Sequence, residues 1–174
     1  MPRKPTNPPR DQNKINPATY NDVVGRTQIR SIRLLESKFE IKPDAIGVDP
    51  SEWRKAVEFE LGDVVTSDQG GLYGVLHFTL TCRIGRKRII QSAAKYLASY
   101  RVNGGCSQEN GEVFIERVGR VAVYPYFRSL VASLVAEAGL QMPPLPMISL
   151  APRSIGSAAQ LITMSAEPKA DDLG

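Results

Sequence analysis

The chain's single histidine, His77, stands between Leu76 and Phe78 with threonines nearby, and no Asp or Ser is spaced around it as a proton relay. An imidazole works as a general acid or base only beside a positioned partner, so His77 reads as an exposed or structural residue. Cys82 and Cys106 allow at most one bridge, and with one histidine they cannot complete a four-ligand zinc site of the usual kind. Cys82 falls on the apolar parity of a strand-like segment and packs as a small hydrophobe. Cys106 follows two glycines without cations on both sides to activate its thiol. Glu58 and Glu60 are two apart, which on a strand is a solvated face rather than a catalytic pair. Gly70-Gly71 and Gly104-Gly105 lack the Lys and Ser or Thr that complete a phosphate loop. These residues predict a non-enzyme, with no cofactor and no metal.

Apolar side chains stand out where the backbone is poorly suited to a core. Residues 42–51 place Ile46 and Val48 among Pro43, Gly47 and Pro50, with Trp53 just beyond. Residues 142–148 place Met142, Leu145, Met147 and Ile148 among Pro143, Pro144 and Pro146. Proline forbids a helix there, and methionine adapts to varied partners, so the two stretches could line a groove or cover a sheet or a subunit contact.

The elements that must carry these stretches follow from periodicity. Alternation from Arg26 slips parity at Leu34 and Leu35, predicting a long first strand with a bulge. Val57, Phe59 and Leu61 mark a second strand. Leu76, Phe78, Leu80, Cys82 and Ile84 mark a third, with turns at 67–71 and at Gly85. Residues 88–102 keep strand parity at Tyr96, Tyr100 and Val102. A short helix is expected over 108–118, ending before Gly119. A long helix is expected over 124–138, with Pro125 in its first turn and Gly139 as its stop. A weak helix over 157–165 completes an α+β fold: a four-stranded antiparallel sheet packed with a long helix and a short C-terminal helix.

One domain is the prior for 174 residues. The division expected is a flexible basic arm (1–25), a folded domain (26–165) and a flexible tail (166–174). Of the net charge of +4, the whole excess sits in residues 1–30, where six Lys and Arg face two Asp. The remaining 144 residues hold 16 charges of each sign. With no apolar run long enough to span a bilayer and no secretory leader, the expected location is cytoplasmic.

Several motifs in consistent order resemble SecB, the bacterial protein-export chaperone, and its SecB-like relatives linked to toxin–antitoxin systems. Gln28-Ile29-Arg30-Ser31-Ile32 leading to Glu36, Phe39 and Glu40 is similar to the family's first strand. Trp53 with Val57, Phe59 and Leu61 is similar to its tryptophan and second strand. Residues 76–85 resemble the third strand and turn. Tyr124-Pro125-Tyr126-Phe127-Arg128 resembles the start of the long helix, followed by Met142-Pro143, Leu145 and Leu150-Ala151-Pro152.

The resemblance implies an ATP-independent holdase, assembled as a homotetramer (a dimer of dimers), that binds unfolded clients, either preproteins or an antitoxin. Its client groove would use Ile46, Val48 and Trp53 from the crossover loop and Met142, Leu145, Met147 and Ile148 from the loop after the helix. Glu36 and Glu40 match positions at which the export chaperone contacts the basic tail of its translocase motor, SecA. The matching turn here is basic, Arg86-Lys87-Arg88, where the export family carries acid, which argues against that contact. The alternative is an adaptor of the same fold that binds one dedicated protein, or a nucleic acid, through the basic arm and this turn.

Overall fold

The computed structural model describes residues 17–148. Helix α1 (Pro17–Arg26) runs straight into strand β1 (Thr27–Ile41). A loop with two short 3-10 turns, Pro43–Ala45 and Pro50–Glu52, then crosses to β2 (Arg54–Thr66), β3 (Gly71–Ile84) and β4 (Lys87–Val102). The sheet order is β1-β4-β3-β2, with every neighbouring pair antiparallel. The expected bulge in β1 is present: the register shifts between Leu34, opposite Tyr96, and Glu36, opposite Lys95.

One face of the sheet forms the core. On β3 the alternate residues Leu72, Leu76, Phe78, Leu80 and Cys82 are fully buried, as a two-residue repeat dictates. Phe78 is the hub of this layer. Its ring lies 5.4 Å from Phe59 of β2, 6.5 Å from Tyr96 of β4, and 5.3 Å from Phe127 of the covering helix. These aromatic pairs are separations at which edge and offset contacts add to burial.

The covering layer differs from its sequence expectation. Helix α2 (Gln108–Phe114), capped by the Ser107 side chain, passes through a π-helical turn (Ile115–Gly119) into α3 (Arg120–Glu137). Gly119 does not end a helix, because its backbone is helical (φ −56°), and Pro125 lies inside α3 rather than in its first turn. The close approach of the π turn to the sheet explains the composition on both sides. A Cβ on Gly74 would stand 2.5 Å from the Ile115 side chain, so only glycine admits this contact.

Helix α3 does stop at Gly139, whose φ of +71° is left-handed. The Leu140 N–H donates to the Val135 carbonyl at 3.1 Å, and the Gly139 N–H to that of Ala136 at 2.9 Å, the paired bonds of a Schellman stop. Helix α1 falls mostly within residues 1–25, where the sequence predicts a flexible arm, and its Val23 is 2% exposed in the core. The helix expected over 157–165 and the tail over 166–174 lie outside the described residues.

Candidate functional site

Beyond the Schellman stop, three prolines keep residues 140–148 out of regular secondary structure, and the segment folds back along α3. Three contacts hold it there. The Tyr124 hydroxyl donates to the Pro146 carbonyl at 2.7 Å, the Arg128 guanidinium donates to the Met147 sulfur at 2.9 Å, and Leu145 is buried in the core. Between this segment and α3 lies a cavity of about 150 Å³, lined by Val131, Val135, Leu140, Met142 and Leu145, with Arg128 as its cation. The Met142 sulfur is 4.0 Å from the Cys82 sulfur beneath it. Burial pushes the Cys82 thiol up to about 11, which leaves it protonated and poorly nucleophilic.

The crossover loop is pinned at its base. Ala45 is buried, and Asp44 pairs with Lys87 of β4 at 3.5 Å. Asp49 accepts the Ser51 N–H at 2.8 Å, and that bond holds its carboxyl below the ordinary range. Above these anchors Ile46 is 71% exposed, while Val48 is half-buried against the core.

The seven apolar residues expected in a groove therefore divide by exposure. Ile46 and Met147 (70% exposed) face solvent; Val48, Met142 and Ile148 are half-buried; Trp53 and Leu145 are buried. Trp53 keeps its indole N–H enclosed with no hydrogen-bond partner among the described residues. The structure brings Met142 and Leu145 together in the cavity wall, whereas Ile46 does not line it. Arg128 was not among the expected groove residues, although it ends the aromatic-Pro-Tyr motif that marks the helix.

The acids behave differently from an open acidic patch. Glu36 pairs with Lys95 at 2.5 Å, and that hydrogen bond holds its carboxyl below the usual value. Glu40 stands opposite Gln91 on the same side of the sheet. Among the described residues, no three His, Cys, Asp or Glu side chains gather as metal ligands, and no helix is long and apolar enough to cross a membrane.

No family model matches the chain. It is 29% identical over 141 residues to the SecB-like chaperone SmegB of Mycolicibacterium smegmatis, covering 75% of this chain and 83% of that one. Its fold matches the Mycobacterium tuberculosis Rv1957 SecB-like chaperone, solved in complex with a ChAD peptide from the Rv1956 HigA1 antitoxin. The TM-score is 0.65 at 20% identity, over 79% of this chain and 99% of that one. The four-stranded antiparallel sheet and its covering helix are thus shared with a solved SecB-like protein, and in sequence as in fold the chain resembles the SecB-like chaperones.

Proposed function

We propose that this chain is a cytoplasmic chaperone that binds unfolded client polypeptides and holds them without ATP, an antitoxin being the client class favoured over exported preproteins. The observation that carries the reading is the pair of large apolar side chains, Ile46 and Met147, each about 70% exposed on a proline-containing loop of a SecB-like fold. Apolar side chains displayed on anchored loops bind unfolded segments without needing one sequence, and several such contacts on one oligomer reinforce each other. Val48, Met142 and Ile148, half-buried on the same two loops, and the buried Trp53 and Leu145 complete the proposed set of client-binding residues. Support for an antitoxin client comes from the antitoxin peptide carried by the structural neighbour. A hand-off to SecA through Glu36 and Glu40 is disfavoured, because Lys95 neutralises Glu36 and the neighbouring turn is basic.

The assembly proposed is a dimer of dimers. It would cover Ile29, Leu34 and Leu35 of the edge strand β1, all exposed in the single chain.

The test is light scattering of an aggregation-prone denatured protein, without nucleotide, in the presence of wild type, Ile46→Asp or Met147→Asp, with oligomer mass measured in parallel. Leu145 is unsuitable for this purpose, since a charge there would disrupt the core. Suppression by wild type that is lost in both variants at unchanged mass is the expected result. A wild type that fails to suppress aggregation overturns the holdase reading.

A further inference from the structure

Arg54, Arg83 and Arg88 stand side by side on three neighbouring strands. Arg83 of β3 is registered with Arg54 of β2 on one side and with Arg88 of β4 on the other. The arrangement depends on an irregularity. Along β4 the even-numbered residues from Ile90 to Val102 face the helices, and unbroken alternation would send Arg88 the same way. The register shifts between Cys82, opposite Ile90, and Arg83, opposite Arg88, leaving Ile89 as an extra residue. Ile89 and Ile90 are both buried, and Arg88 is turned out to solvent beside Arg83. A bulge re-aims side chains in this way.

Strands about 4.8 Å apart make this a row spanning roughly 10 Å, with Arg86 extending it at the turn. All four arginines are exposed, and none forms an ion pair with a described residue; their neighbour Lys87 is engaged by Asp44. Like charges directly opposite each other weaken a strand pair, so the row works against the sheet that carries it. Guanidinium groups take carboxylates in forked, two-point contacts.

We propose that this row is a docking site for a short acidic segment of a partner polypeptide. A segment with two or three carboxylates needs only the row itself. A nucleic acid strand continuing along the same face would meet Glu40, then Glu58 and Glu60, within a few residues of the arginines. The surface is separate from the exposed apolar residues proposed to bind clients.

Fluorescence anisotropy at low salt tests this with a labelled peptide carrying three closely spaced Glu, its Gln counterpart, and a single-stranded oligonucleotide of equal charge. The expected result is binding of the Glu peptide alone, weakened at least tenfold in Arg83→Gln. The same variant should melt about 2 °C higher, because the repulsion is relieved. Its suppression of aggregation should match wild type, which keeps this test distinct from that of the holdase. Failure of the Glu peptide to bind, or equal affinity in Arg83→Gln, overturns the proposal. An oligonucleotide that binds more tightly than the peptide and is lost in Arg83→Gln also overturns it, in favour of a nucleic-acid surface.

Discussion

At Gly74 the absence of a side chain is what lets the π turn rest on β3. Gly74→Ala places a methyl against Ile115 and should lower unfolding free energy by about 1–3 kcal/mol, the usual range for overpacking, measured by urea denaturation. Tyr124→Phe removes the hydroxyl that holds Pro146. It should cost about 1 kcal/mol and hasten proteolysis within residues 140–148, read by mass spectrometry of limited digests. A third effect is governed by pH. Burial pushes the Cys82 thiol up from 9.0 to about 11, and the Tyr96 and Tyr100 hydroxyls from 10.0 to about 12. The unfolded chain gives up these protons first, so above about pH 9 it binds fewer protons than the native state, and stability falls as pH rises. The urea midpoint should therefore drop between pH 9 and 11, and it should drop less in Cys82→Ala.

Among the elements, α3 carries the clearest anomaly. Pro125 cannot donate to the Val121 carbonyl, and its ring crowds that group, so Pro125→Ala should raise stability by about 1 kcal/mol in the same urea experiment. The strands were legible because one buried face and one wet face imprint a two-residue repeat, clearest at Leu76, Phe78, Leu80 and Cys82. Even the β1 bulge was visible as a parity slip at Leu34 and Leu35. The bulge at Ile89 was not, since Ile89-Ile90 reads equally well as continuous strand. Helix α1 is hidden because it is short and carries few apolar residues; among its described side chains Val23 is buried in the core and Val24 is exposed. The junction at Gly119 misled because glycine usually ends a helix, whereas here it serves close packing: a Cβ would lie 3.2 Å from Ile115. For the candidate site, apolarity was legible but its exposure was not. Leu145 and Met147 look alike in composition, and only the fold shows one buried and the other open.

At the scale of the molecule, β1 is an edge strand that leaves Ile29, Leu34 and Leu35 uncovered, and an exposed apolar edge invites association. Leu34→Lys should reduce the mass measured by size-exclusion chromatography with light scattering while the far-ultraviolet circular dichroism stays unchanged. The same strand has a consequence for the birth of the protein. β1 is made first among the strands but pairs with β4, made last, with Thr27 opposite Val102 and Ile41 opposite Ile90. Synthesis at about 5–20 residues per second needs roughly 3–12 s to add the 61 residues 42–102 that separate the end of β1 from the end of its partner. Throughout that interval the newborn chain presents the apolar side chains of a strand with no mate, Ile32 and Phe39 among them, so it is briefly the kind of polypeptide that a chaperone protects.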